Sequence, residues 1–240
     1  MTVIAVCSVK HSPGATTLCL ALASAWGNAG ELAILVEADP AGGDLAARIG
    51  LAIDPGLVSM AAAARHADSV IDIARHARPL PCGGSVVIGP TSPDEAEAAV
   101  ATIAARVPKA VRSVGAGVVD CGRWTRNSPT SQVMRSADMT LVVARPDLAG
   151  IAHLQERVEQ LSASAGGRLG VVLVGDRPYP AANVAAAIGI PTVFTIAIDR
   201  DGVDALYGAA SARAGRRSRL VRSARTVLDA IDAARVEVFA

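Results

Sequence analysis

The stretch Val3-Ile4-Ala5-Val6-Cys7-Ser8-Val9-Lys10-His11-Ser12-Pro13-Gly14-Ala15-Thr16-Thr17 decides how the chain is read. An apolar run from Val3 to Val9 gives way to a loop at Lys10 to Gly14, and an uncharged Ala- and Leu-rich segment follows from Thr16 to Trp26. A continuous apolar run of strand length, then a loop, then a segment of helical length predicts a buried parallel strand feeding a buried helix. The same residues imitate a secretory signal, with Lys10 ahead of Leu18 to Trp26 and an Ala23-Ser24-Ala25 tail. A signal places its positive charge first, whereas here the apolar run precedes the lysine, so strand, loop and helix account for them better. A second uncharged stretch, Pro178 to Ile198, contains Pro178, Pro180 and Pro191 and reads as a short helix, a turn and a strand rather than a membrane span.

Outward from that opening, β-branched runs recur at Thr2 to Val9, Leu32 to Glu37, Ser85 to Ile88, Gly117 to Val119, Met139 to Ala144, Leu169 to Val174 and Thr192 to Ile198. Helical segments are expected at Thr16 to Trp26, Pro93 to Arg106, Asp147 to Ser164 and Asp201 to Ala214, with two more between Pro55 and Pro81. Arg78 to Gly84 reads as a breaker-rich loop. Alternation of this kind predicts a single doubly wound α/β domain over residues 1–240, with a mostly parallel sheet of about seven strands covered on both faces. An arginine-rich closing helix is expected at about 216–234.

Composition narrows the function. The 240 residues carry 23 Lys and Arg against 22 Asp and Glu, a formal charge of +1, which excludes a polybasic coat or acidic tail as the main device. Aromatic residues are 2% of the chain, too few for a base-stacking surface, while 51% is apolar, so the core must be built from Ala, Val, Leu and Ile. Cys7, Cys19, Cys82 and Cys121 show no C-x-x-C spacing and read as inert buried thiols of a cytoplasmic protein.

A strand-to-helix junction gathers backbone N–H groups at the positive end of a helix, and a hydroxyl at Thr16 is placed there to hold Mg²⁺ beside bound phosphates. A plain glycine turn opening a helix explains the loop without any ligand. The segment resembles the deviant Walker A loop of the MinD/ParA family of P-loop ATPases, K-G-G-x-G-K-[ST]-[ST]. Lys10 falls on the early signature lysine, and Gly14, Thr16 and Thr17 fall on their counterparts; His11 and Ser12 replace two glycines and Ala15 replaces the phosphate-contacting lysine. Glu37-Ala38-Asp39-Pro40 resembles the family's D-x-D-P segment, and Asp120-Cys121-Gly122 its Walker B D-x-G. Each acid also fits a helix cap or Asx turn, but all three elements end predicted strands, where open α/β sheets bind ligands. Ile196-Ala197-Ile198-Asp199 is similar to the loop that closes over the base, and Gly175-Asp176-Arg177 stands where the family commonly has Asn.

The resemblance spans roughly residues 2 to 232. It implies ATP and Mg²⁺ as ligands, with Lys10, His11, Ser12, Pro13, Gly14, Ala15, Thr16, Thr17, Asp176 and Asp199 at the nucleotide. It places Thr16, Asp39 and Asp120 at the metal, with Asp39 and Lys10 catalytic. It further implies a homodimer in which Lys10 reaches the partner's phosphates. Ala15 implies weak or lost hydrolysis, since a charge-assisted contact is missing, and a protonated His11 is one candidate for the missing charge. Val87-Ile88-Gly89-Pro90-Thr91-Ser92-Pro93 and Pro40-Ala41-Gly42-Gly43 look like the Flp/Tad pilus-associated branch, with an assembly at a pole or septum. Arg213, Arg216, Arg217, Arg219, Arg222 and Arg225 gather before and within the closing helix, suited to nonspecific DNA contact, an anionic membrane surface, an acidic partner or merely a solvated face. The alternative to a nucleotide-dependent positioning protein is a pseudo-ATPase scaffold that binds no nucleotide and recruits a protein partner.

Overall fold

The computed structural model describes residues 1–10, 14–66, 71–166 and 168–238. His11, Ser12 and Pro13 of the phosphate loop lie outside the described residues. The first half runs β1 (Val3–Ser8), α1 (Ala15–Asn28), β2 (Ala33–Glu37), α2 (Leu45–Ile49), α3 (Leu57–His66), β3 (Arg78–Pro79), β4 (Ser85–Val87), α4 (Pro93–Ile103), α5 (Val107–Val114) and β5 (Ala116–Arg123). The second half runs α6 (Ser131–Ser136), β6 (Met139–Ala144), α7 (Leu148–Gln155), α8 (Val158–Ser164), β7 (Leu169–Val174), α9 (Ala181–Ile188), β8 (Val193–Ile196), α10 (Arg200–Leu206), α11 (Ala212–Arg217) and α12 (Arg219–Val238). A 3-10 turn occupies Ile73–His76.

The strands form one eight-stranded sheet among the described residues, ordered β3-β4-β2-β5-β1-β6-β7-β8. All neighbours are parallel except β3, which pairs antiparallel to β4 at the edge. Because successive side chains alternate across a strand, β1 feeds two cores: Val3, Ala5 and Cys7 enter one, Ile4 and Val6 the other. The first lies under α3, α4 and α5; the second lies under α1 and α12, where Trp26, Leu18 and Leu22 meet Leu220, Val227 and Leu228. The chain builds outward from β1 in both directions, so the carboxyl end of β1 lies at the topological switch point where such sheets hold ligands.

The expected doubly wound sheet is present, with eight strands in place of about seven. The added strand, two residues long and containing Pro79, lies inside the stretch read as a loop, and so short an edge segment has no period to detect. Two expected helices are each divided. Asp147 to Ser164 becomes α7 and α8, broken at Glu156 and Arg157, and Asp201 to Ala214 becomes α10 and α11, broken where Gly208 takes a φ of 85°. Among the described residues of Pro55 to Pro81 there are α3 and a 3-10 turn rather than two α-helices. The closing helix is α12, longer than 216–234 at its far end. No helix of the described residues is long and apolar enough to cross a membrane. All four cysteines are free and buried, and burial pushes the Cys7 thiol up to about 12.

Trp26 is 2% exposed and anchors the α1 face of the second core. Trp26→Ala is expected to lower unfolding free energy by about 3–5 kcal/mol in urea denaturation, as large-to-small core changes do.

Candidate functional site

At the carboxyl ends of β1, β2 and β5 the structure opens a cavity of about 830 Å³. Gly14, Ala15, Thr16 and Thr17 line it from the start of α1, Glu37 and Asp39 from the end of β2, and Asp120 and Gly122 from β5. These segments, distant in sequence, line one cavity. Gly14 precedes the first helical residue with φ 107°, a left-handed conformation that glycine adopts without a Cβ penalty. Ala15 is buried at 7% exposure, so the cavity has no cation at that position.

Asp120 sits at the floor, 1% exposed. Its Oδ1 accepts from Gly122 N–H at 3.0 Å, while Oδ2 is buried without a hydrogen-bond partner of normal geometry among the described residues. Burial pushes this carboxyl up to about 6, against the lowering effect of the nearby Thr16 hydroxyl and the Gly122 N–H. Asp39 Oδ1 accepts from Ala41 N–H at 2.8 Å, and burial raises its pKa, opposed by that bond and by the Arg123 charge. A Cβ on Gly122 would sit 2.1 Å from the Asp39 carboxylate, so glycine is what lets the β2 and β5 loops approach so closely. An unpartnered buried carboxylate oxygen beside a hydroxyl and a second carboxylate is a hard oxygen donor set, which fits Mg²⁺. No cluster of three or more His, Cys, Asp or Glu suited to a metal occurs among the described residues, so water and phosphate oxygens would have to complete the coordination.

Glu37 has a role that the sequence did not suggest. Its Oε1 accepts from Asp44 N–H at 2.8 Å and Leu45 N–H at 2.9 Å, and its Oε2 from Gly89 N–H at 2.9 Å. Gly43 and Gly89 form the cradle, since a Cβ at Gly43 would lie 2.5 Å from the carboxylate and one at Gly89 2.8 Å from the Glu37 carbonyl oxygen. The carboxylate thus ties the Asp39-containing segment to the end of β4. The partners are 7, 8 and 52 positions away, so no local pattern announces them.

A smaller cavity of about 330 Å³ adjoins the loop through Gly14 and Thr17 and is lined by Val174, Ile196, Ala197, Ile198 and Asp199. Asp199 spans two helix starts there, Oδ1 accepting from Gly202 N–H at 3.0 Å and Oδ2 from Leu220 N–H at 3.1 Å. Burial would raise its pKa, but these backbone bonds outweigh it and hold the carboxyl below its ordinary value. Asp176 is exposed beyond Gly175 and lines neither cavity. Lys10 is exposed past the end of β1 and is not among the residues lining the larger cavity. Arg213, Arg216, Arg217, Arg219 and Arg222 are exposed, whereas Arg225 pairs with Glu31 at 3.7 Å and Asp229 at 2.8 Å and so leaves the cluster.

Burial dominates Glu37 as well, pushing it up to about 7 against its three N–H donors. An acid whose folded pKa lies above its unfolded value favours the fold most when protonated, and that advantage is lost as pH rises through the folded pKa. Glu37→Gln cannot ionise, so its stability relative to wild type should rise by about 3 kcal/mol between pH 4.5 and pH 8, on top of a pH-independent offset. Paired urea titrations across that range check it, and a difference that stays flat would contradict the assigned ionisation.

Comparison with known proteins identifies the architecture. Neither a protein-family model nor a curated protein sequence matches the chain. Among solved structures, a ParA family ATPase from Chlorobium tepidum superimposes with a TM-score of 0.78 at 16% identity, over 95% of this chain and 98% of that one. The cell division ATPase MinD of Pyrococcus furiosus gives 0.77 at 18% identity, over 97% and 98%. The septum site-determining protein MinD of Pyrococcus horikoshii, complexed with Mg-ADP, gives 0.74 at 17% identity, over 96% of each chain. The chain therefore has the α/β fold of the ParA and MinD P-loop ATPases.

Proposed function

We infer that the protein is a ParA/MinD-like positioning factor that binds Mg²⁺-nucleotide and dimerises through its nucleotide face, with hydrolysis weak or lost. The observation that carries this reading is Asp120 Oδ2, buried without a hydrogen-bond partner of normal geometry among the described residues, at the floor of a cavity that also collects Thr16 and Asp39. A scaffold that had abandoned nucleotide would gain nothing from keeping an unsatisfied carboxylate there, because an orphaned buried polar group costs about 1–3 kcal/mol. Septum site-determining MinD of Pyrococcus horikoshii, which shares the fold, holds Mg-ADP.

In this reading Thr16, Asp39 and Asp120 hold Mg²⁺, which when bound neutralises charge on the phosphates. Gly14 and the first turn of α1 present backbone N–H groups to the phosphates. Asp39, tethered by Ala41 and pressed against Gly122, orients the attacking water. The base occupies the smaller apolar cavity beside Ile196 and Ile198. Lys10, exposed and not among the residues lining its own chain's cavity, reaches the phosphates of a second copy. Ala15 leaves the transferring phosphoryl group without one stabilising charge, which makes turnover slow. The cellular setting is placement of a pilus or secretion machine at a pole or septum. The two stretches that suggested it, Pro40 to Gly43 and Gly89-Pro90, meet in the fold, where Gly43 N–H donates to Pro90 O at 2.8 Å. The exposed arginines add nonspecific DNA contact.

Calorimetry with a nonhydrolysable ATP analogue and Mg²⁺, combined with light scattering, tests the core of the proposal. Wild type should bind and double its mass; Asp120→Asn should weaken binding at least tenfold in Mg²⁺ yet match wild type in EDTA. Lys10→Ala should bind nucleotide but remain monomeric. Absence of wild-type binding at millimolar nucleotide would remove the nucleotide reading altogether. For the arginine cluster, duplex DNA retention at low salt should drop several-fold in Arg216→Ala/Arg217→Ala, with a shallower salt dependence. Retention equal to wild type would sink the DNA contact.

A further inference from the structure

The phosphate cavity is lined by five acids, Glu37, Asp39, Asp44, Glu97 and Asp120, and by two arginines, Arg48 and Arg123. Five acids against two bases leave a polyanion in want of positive charge beyond backbone N–H groups and one divalent ion. The position that would supply it, 15, is alanine. Arg123 is exposed, and its charge already acts on Asp39. Arg48 is exposed as well, but it is engaged differently. It projects from the last turn of α2, a basic residue held by no ion pair or hydrogen bond among the described residues. Its guanidinium lies 3.8 Å from the centroid of the Tyr207 ring, a cation–π stack that fixes its direction and leaves its N–H donors unspent. Tyr207 in turn shares a hydrogen bond of 3.2 Å with the Thr17 hydroxyl. Thr17 lies two positions beyond Ala15 on α1, so the stack is indexed to the phosphate loop itself. In a chain with two tyrosines, one is spent on holding an arginine at the cavity wall.

We propose that Arg48, stacked on Tyr207, is the phosphate-binding cation that takes the place of the lysine missing at position 15. Tyr207 is a positioning residue, acting through Arg48, and the ligand class is a polyphosphate. The inference rests on the nucleotide reading above.

The test uses the full chain with two probes in Mg²⁺, a nonhydrolysable ATP analogue and inorganic pyrophosphate, with affinities from calorimetry. Arg48→Ala should weaken both by roughly tenfold, the scale of one lost charge-assisted contact. Arg48→Lys should recover part of that loss, because it keeps the charge but not the planar fork. Tyr207→Leu should weaken both about threefold in wild type but have no effect on top of Arg48→Ala. Ala15→Lys should tighten binding much more in the Arg48→Ala background than in wild type, since two groups doing one job are not additive. Melting curves of each variant confirm the fold, and Arg48 is exposed, so its replacement leaves the core intact.

The contrary results are separable. If wild type binds neither probe, the nucleotide reading and this inference fall together. If wild type binds and Arg48→Ala binds equally, only the role of Arg48 is overturned. If Arg48→Ala loses the ATP analogue but keeps pyrophosphate, Arg48 touches the base or ribose and the phosphate role is wrong. Equal gains from Ala15→Lys in both backgrounds would show that Arg48 does not replace the lysine.

Discussion

The Glu37 carboxylate is the tie on which the candidate site depends. It is a buried acid at the end of a central strand, and its two oxygens accept N–H groups from two separate segments. Each such bond to a charged group contributes about 1.5–3 kcal/mol, while the loss of hydration opposes them and outweighs them, as the rise to about 7 shows. The geometry tolerates no side chain at Gly43 or Gly89, so three residues must agree for the tie to form. Asp39 lies between Glu37 and its partners Asp44 and Leu45, and its position over Gly122 follows from that closure. The glycines that look like loop filler in the sequence are therefore the seats of two carboxylates.

The charges around the cavity follow a consistent logic. Glu37 is consumed internally, and Asp120 and Asp39 face the ligand side with pKa values raised by burial. A cavity in which acids outnumber bases is unfavourable to phosphate unless a divalent cation stands between them, and the orphaned Oδ2 of Asp120 is the atom such a cation needs. Alanine at position 15 adds no charge to that balance, and the guanidinium of Arg48, stacked on Tyr207, is the basic group proposed to offset it.

What could be read from the sequence was what is local or periodic. The apolar run of β1, Gly14 before α1, and the acids Asp39 and Asp120 at strand ends are each visible within a few residues. Glu37 could be noticed as a substituted acid but not as a clamp, because its donors are remote. Arg48 and Tyr207 carried no signal at all, since a lone arginine on a short helix and a lone tyrosine after another have no pattern that joins them. The break at Gly208 has a visible cause in the glycine itself, whereas the break at Glu156 and Arg157 has no glycine or proline to mark it. The two-residue β3 is too short for any period.

Helix α12 shows how one fold element serves two demands. Leu220, Val221, Ala224, Val227, Leu228 and Ile231 are buried against α1, fixing the helix along the second core. Its start is fixed separately, because Leu220 N–H donates to Asp199, which also caps α10 and lines the smaller cavity. One carboxylate thus locates both a wall of that cavity and the turn from which Arg219 and Arg222 project. Arg225, one turn further on, is withdrawn from that surface by Glu31 and Asp229. The exposed positive charge of the helix is therefore concentrated at its anchored start, which the bond from Leu220 to Asp199 helps to fix.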